Sequence, residues 1–318
     1  MIMYKYLNPR NDVAFKRIFG TEKNKVILIS FLNEVLRKQL ALPIEDIEFL
    51  KPSQDPTIAS RKQSIVDVLC KDKEGVQYIV EMQVAKTGGF EKRAQFYAAK
   101  AYIDQMKAGD ERYINLKEVI FIAIADYDIF PNKKHYKSEH VILDRFTLEN
   151  DLSMFSFTFV NLPKFDKEYN DSKRSLTDLS LEEKWYYFLK HAEEMRGQEL
   201  ETLTGGDIMI REAYKELEMY NWSDTDLAIY EGELKRQRDE YNIELYKQEE
   251  AQRRQKEAEK RALEKGIQQG MEKGMEKGLE QGIEKARLEM ARKMRSKGVD
   301  INAISEFTGF SKSELEIL

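Results

Sequence analysis

Residues 64–85, SIVDVLCKDKEGVQYIVEMQVA, decide how this chain folds: two runs rich in β-branched and aromatic residues flank the turn signal K-D-K-E-G. A three-residue loop, Lys73-Glu74-Gly75, with Gly75 in the left-handed region, pairs Asp72 with Val76 and sets Asp67 directly opposite Glu81. Strand side chains alternate, so Glu81 and Gln83 share a face, and Asp67 joins them. The two carboxylates then have Cβ atoms about 5 Å apart. Charges in such apolar strands are costly unless paired or bound to a metal. This separation suits one hard cation, Mg2+ or Mn2+, held through Asp67, Glu81 and the main-chain carbonyl of Met82. Acidic side chains that merely keep a strand edge soluble show the same spacing, so D-x13-E-x-Q by itself leaves both readings open.

Working outward, apolar residues recur at helical spacing over 11–36, with a break near Gly20. Strand-like runs occupy 44–50, 63–70, 75–84 and 116–125, and a helical stretch, 90–108, lies between the last two. The order helix, three strands, helix, strand predicts an α/β fold. Further strands are expected at 141–146 and 155–160, followed by a linker at 166–175.

The helix after the hairpin places Arg93 and Tyr97 on one face, with Lys92 and Lys100 nearby and Gly88-Gly89 ahead of it. A guanidinium beside a metal can hold a phosphate oxygen; equally, Arg93 and Tyr97 can stack on each other at the helix surface. Lys16, Arg17, Lys23, Lys25, Arg61, Lys62 and Lys86 add positive charge in the region where a nucleic-acid backbone would need it. Residues 1–110 hold 18 Lys and Arg against 14 Asp and Glu, whereas 166–318 hold 27 against 35, which predicts different work for the two ends. Asp12 and Glu34 are candidates for a second metal or for simple capping and solubility.

Past the expected linker the pattern turns helical, at 181–196 and 207–220, and then runs into a highly charged stretch at 224–265. Leu227, Leu234 and Tyr241 stand seven apart, a coiled-coil spacing that Gln248 and Gln255 weaken. Gly266, Gly270, Gly274, Gly278 and Gly282 then recur every four residues, each followed by Ile, Met or Leu. Five helical glycines cost about 4–5 kcal/mol relative to alanine, and close helix–helix packing would offset that. This predicts a homo-oligomer, a dimer first; a frayed spacer is the alternative. In 286–318, Gly298 ends one helix, Asp300 caps a second and Ser311-x-x-Glu314 caps a third. ISEFTGFSKSELEIL resembles part of a helix-turn-helix, but Glu314 and Glu316 oppose Lys312 where a groove-reading helix needs positive charge.

Taken in order, LNPRNDVAFKRIFG, ISFLNEVL, IVDV, IVEMQ, KRAQFYAAKAY, LKEVIFIAI and LPKF resemble the recombination-promoting nuclease (Rpn) family, also described as putative transposases of the PD-(D/E)XK superfamily. The resemblance covers roughly residues 5–165, and the glycine-spaced helix and terminal segment resemble the tails many members carry. It implies a restriction-endonuclease-like αβββαβ core in which Asp67 and Glu81 match the metal-binding acidic positions and Gln83 the place usually held by lysine. It further implies hydrolysis of a DNA phosphodiester by metal-activated water, leaving a 5′-phosphate and a 3′-hydroxyl, and a link to recombination, mobile elements or phage defence. Glutamine carries no charge and can only orient, so a slow enzyme or an inactive DNA-binding scaffold is the rival expectation. Asn161 precedes LPKF where members often have glutamate.

The domains expected are a nuclease domain at 1–165, a helical domain at 176–223, a long charged helix at 224–285 and a small helical unit at 286–318. Cys70 is the one cysteine, so no intrachain disulfide or cysteine-based zinc site can form, which suits the cytoplasm. The longest apolar run, residues 119–125, is far short of the ~20 residues that span a bilayer. With three dispersed histidines, the chemistry is expected to need neither cysteine nor histidine.

Overall fold

The computed structural model describes residues 5–50, 53–54, 64–106 and 112–317. Helices α1 (Asp12–Phe19) and α2 (Lys25–Val35) lead into strands β1 (Ile47–Phe49), β2 (Ser53–Gln54), β3 (Ser64–Ile65), β4 (Val68–Asp72) and β5 (Gln77–Gln83). Then come α3 (Phe90–Ile103), β6 (Val119–Ala125), β7 (Lys137–Val141), β8 (Phe155–Asn161) and α4 (Leu162–Ser172). Helices α5 (Leu181–His191), α6 (Gly197–Thr204), α7 (Ile208–Leu217), α8 (Asp224–Ser296), α9 (Ile301–Thr308) and α10 (Lys312–Ile317) follow. The α/β class and the αβββαβ order of the sequence reading are both present.

Six strands form one sheet in the order β1-β4-β5-β6-β8-β7. Strands β5, β6 and β8 run parallel, while β4 is antiparallel to β5. The β4–β5 turn is built as its residues dictate. Gly75 sits at φ +87°, Asp72 N–H donates to the Val76 carbonyl at 3.0 Å, and Val76 N–H donates to Asp72 Oδ1 at 2.9 Å. The ladder pairs Val68 with Val80 and Cys70 with Tyr78 and stops there, and Asp67 lies in the bend just before it, beside Glu81 and Met82.

Every residue of β6 is buried, because both faces of the sheet are covered. Helix α3 packs Phe90, Ala94, Ala98 and Ala101 on one face, over Leu69, Ile79, Phe121 and Ala123. The other face carries α1, α2, α5 and α7, with Phe15, Phe19, Phe31, Trp185, Phe188 and Tyr214 interlocked above Val80, Ile122 and Ile124. Cys70 is buried in this core, and burial pushes its thiol up to about 12.

Two contact units emerge, Met1–Tyr241 and Asn242–Leu318, and α5–α7 share the first with the sheet. The stretch 166–175, read as a linker, is largely helix instead. Asn161 caps α4 by accepting Lys164 N–H, Pro163 opens its first turn, and Phe165 packs edge-to-face against Tyr136 and Tyr186, so a polar exposed face concealed a buried stripe. The strand expected at 141–146 lies earlier, at β7. Asp144 takes the N–H groups of Phe146 and Thr147 on its Oδ1 at 2.8 Å each, and such side-chain capture favours a turn over a ladder. Helix α3 ends at Ile103, short of the expected 108, which lies outside the described residues.

Leu227 and Leu234 pack against the core of the first unit, with Tyr230 buried between them, whereas Tyr241 is exposed. The seven-residue spacing at the start of α8 therefore serves this chain's own core rather than a coiled-coil seam. In the second unit, the five spaced glycines lie within α8, and a Cβ added at any of them meets no atom within 4 Å. Ala291, Ile304 and Leu315 form a small core there. Asp300 caps α9, Gly298 takes φ +74°, and Ser311 and Glu314 close a capping box. Among the described residues no helix is long and apolar enough to cross a membrane.

Substituting Gly75→Ala forces a Cβ into the left-handed region and to 3.2 Å from Lys117 Cγ. The thermal midpoint should fall by about 2–8 °C. An unchanged midpoint in calorimetry would show that the turn does not set the hairpin.

Candidate active site

The site grows from the point where β4 gives way to the bend at Asp67. A continued antiparallel ladder would present a main-chain acceptor to Met82, but the Asp67 side chain takes that place, with Oδ2 accepting Met82 N–H at 2.8 Å. The N–H and C=O of one strand residue point to the same edge, so the Met82 carbonyl faces the Asp67 side as well. Glu81 is 3% exposed, and its Oε2 accepts from Gln83 Nε2 at 3.0 Å. Gln83 Oε1 in turn accepts from Arg93 Nη2 at 2.6 Å, and the Arg93 guanidinium lies 5.0 Å over the Phe90 ring. A chain of side chains thus runs Glu81, Gln83, Arg93, each fixed by the next.

Helix α1 brings Asp12 against Asp67, and Lys16 bridges them, with Nζ 2.8 Å from Asp12 Oδ1 and 3.6 Å from Asp67 Oδ1. Burial raises both core carboxyls well above the ordinary range. For Asp67 the rise is opposed by the Met82 N–H bond and reinforced by Asp12; for Glu81, Asp67 adds to it while Arg93 and Gln83 oppose it. Glu81 Oε1 is buried and has no hydrogen-bond partner among the described residues. An orphaned oxygen beside a second carboxylate is a donor set suited to Mg2+ or Mn2+. Among the described residues no group of three or more His, Cys, Asp or Glu is arranged to hold a metal. An ion here would therefore complete its shell with main-chain oxygen and water, as Mg2+ commonly does.

Of the residues singled out from the sequence, Asp67, Glu81, Gln83, Arg93 and Lys16 converge on this cluster. Tyr97 lies close enough for Arg93, Glu81 and Asp67 to act on its hydroxyl, whose pKa burial raises. The other cations do not form one patch. Arg17 and Lys23 pair with Glu216, Arg17 stacks on Trp222, and Lys25 pairs with Asp46. Arg61 and Lys62 lie outside the described residues. Glu34 pairs with Arg37, and His191 with Asp166. Asn161 holds Asp128 through its Nδ2 at 2.9 Å while capping α4.

The fold also brings in residues that the sequence reading missed. Asp126 donates its N–H to the Gln83 carbonyl at 2.8 Å, extending the β5–β6 ladder, and its carboxylate is clamped at 2.6 Å each by Arg10 and Lys190. Asn8 Oδ1 accepts from Arg10 N and Nε, and Asn11 caps α1 through Val13 N–H, so the segment NPRND ties α1 to the ends of the central strands. Tyr127 follows Asp126.

A family model for PD-(D/E)XK nuclease family transposases matches residues 9–247, most of the chain. The chain belongs to that family. No curated protein and no solved structure matches it. The match runs through the sheet, the carboxylate cluster and α5–α7, and ends within α8. A mixed α/β chain of this family is assigned a nuclease- or transposase-like role, with DNA the partner such a role implies.

A carboxyl whose folded pKa is raised adds stability below its unfolded pKa and loses it as pH climbs through the folded value. The cation-free midpoint should therefore fall from about pH 4 toward neutrality. Mg2+ should restore it more at about pH 7.5 than at about pH 5, since only the ionised pair binds the ion. Glu81→Gln should flatten both trends. A wild-type midpoint insensitive to Mg2+ at every pH would count against a metal site.

Proposed function

We propose that this chain is a divalent-metal-dependent endonuclease that hydrolyses DNA phosphodiester bonds in the cytoplasm, as a dimer joined through the glycine-spaced part of α8. The observation that carries the reading is the Asp67–Glu81 pair, in which Glu81 is buried with one oxygen unpartnered, beside a guanidinium held in place by Gln83. Asp67, Glu81 and the Met82 carbonyl would hold Mg2+ or Mn2+. The ion supplies Lewis-acid polarisation and a water of lowered pKa. Arg93 would hold a phosphate oxygen, with Tyr97 at the rim, and Lys16 offsets carboxylate charge from the α1 side. Cleavage would leave a 5′-phosphate and a 3′-hydroxyl, as superfamily analogy suggests.

The rival reading is a folded DNA-binding scaffold with weak or no cleavage. Gln83 favours it, because its amide is neutral and both its ends are already engaged, by Glu81 and by Arg93. Supercoiled-plasmid cleavage in Mg2+ tests the two. Asp67→Asn and Glu81→Gln should each reduce cleavage by about 100-fold or more, as loss of a transition-state interaction of ~3 kcal/mol requires. EDTA should abolish it. Metal binding without cleavage in the wild type would leave the scaffold reading, and equal cleavage by both variants would remove this site from the reaction.

Assembly through α8 has its own test. Since a Cβ at each spaced glycine meets nothing in the single chain, Gly270→Ala with Gly274→Ala should raise helicity, at ~1 kcal/mol each, if the chain is monomeric. Under the proposal the same pair should lower the mass measured by light scattering toward that of one chain, because a partner backbone would no longer fit. An unchanged dimer mass would rule out the glycine stripe as the interface.

A further inference from the structure

Two further polar atoms besides Glu81 Oε1 are buried without a partner among the described residues on this side of the sheet: Arg93 Nε and the Tyr127 hydroxyl. Both are hydrogen-bond donors. Arg93 is not free to turn its Nε–H elsewhere, since Nη2 is anchored on Gln83 and the guanidinium lies over Phe90. Tyr127 lies just beyond the end of the ladder. Gln83 pairs with Ala125, the next bond runs from Asp126 N–H to the Gln83 carbonyl, and Asp126 is clamped by Arg10 and Lys190. Ala123 packs under α3, the strand ends at Ala125, and Tyr127 lies in the bend that follows, where Arg93 and Glu91 of α3 act on its hydroxyl. There burial raises the pKa of its hydroxyl, and the nearby Arg93 charge partly offsets the rise.

A buried donor left unpaired costs about 1–3 kcal/mol, and two on one side of a sheet, next to a carboxylate pair, amount to a seat for an acceptor that arrives with the substrate. We propose that Tyr127 and Arg93 together form an oxyanion seat for a non-bridging phosphate oxygen of the nucleic-acid strand, adjoining Asp67 and Glu81. The identity of the anion rests on the nuclease reading; the seat itself does not. Tyr127 donates O–H and Arg93 donates Nε–H to the same oxygen, so the strand is gripped beside the carboxylates while Gln83 keeps the guanidinium turned toward it. Phenylalanine would satisfy the packing here without an orphaned hydroxyl, so a tyrosine at this position exchanges some stability for binding.

The test titrates inorganic phosphate into the full-length protein in EDTA, by calorimetry and by thermal midpoint, comparing wild type, Tyr127→Phe and Arg93→Lys. The expected result for Tyr127→Phe is a midpoint without phosphate equal to or above that of the wild type, with phosphate affinity weakened about tenfold or more. Arg93→Lys keeps the charge but loses the Nε–H, and should weaken phosphate similarly. The proposal is overturned if wild type binds no phosphate, if either variant binds it as tightly as wild type, or if Tyr127→Phe lowers the phosphate-free midpoint, which would show a structural bond instead. No cleavage or cation enters this measurement. Loss of phosphate binding in Tyr127→Phe alongside undiminished plasmid cleavage by Asp67→Asn and Glu81→Gln would keep the seat and discard the catalytic role of the carboxylates.

Discussion

Everything at the site depends on the register of one hairpin. Gly75 in the left-handed region and the Asp72 side chain, which accepts Val76 N–H on one oxygen and the Tyr78 hydroxyl on the other, close the β4–β5 turn in a single way. A slip of one residue would exchange the two faces of the strands, sending Glu81 and Gln83 toward α1 and α2 and burying Val80 and Met82 under α3. With the register fixed, two carboxyls are held together in a site that burial makes hostile to their charge. The cluster around them answers that constraint: Lys16 from α1, Arg93 from α3, and Gln83 spanning the gap.

The hairpin and its carboxylates were legible in the sequence because strand alternation and turn chemistry act over a few residues. Asp67 beside Glu81 follows from counting back from Gly75, although the ladder ends one residue short of it, and the caps at Asp300 and Ser311 were likewise local. Arg93 was found because a helix returning over a parallel strand passes the end of its predecessor. What escaped depends on contacts across long stretches of chain. The partners of Arg17 and Lys23 lie about 200 residues away, on Glu216, so a run of basic residues read as a patch is spent on internal ion pairs. Asp126 and Tyr127 acquire their places only once β6 is known to pair parallel with β5. Helix α4 looked like linker because composition averages an exposed polar face with the few aromatics beneath it.

The family gives the chain a nuclease-type core, and in it Gln83 links Glu81 to Arg93. Arg93 brings a positive charge to the end of the glutamine amide, delivered to the neighbourhood of the carboxylates from another element, α3. Guanidinium does not lose its proton near neutral pH, whereas a buried amine can, so charge delivered on an arginine withstands burial that would neutralise a lysine.

The bond from Met82 N–H to Asp67 gives that carboxylate two employments, one in holding the sheet and one in the chemistry proposed for it. Asparagine can accept the same N–H but cannot carry the negative charge. The hydrogen bond that closes the end of the hairpin therefore does not require the charge. One substitution at this position thus separates the charge from the shape: the strand keeps its place while the cluster loses a negative group.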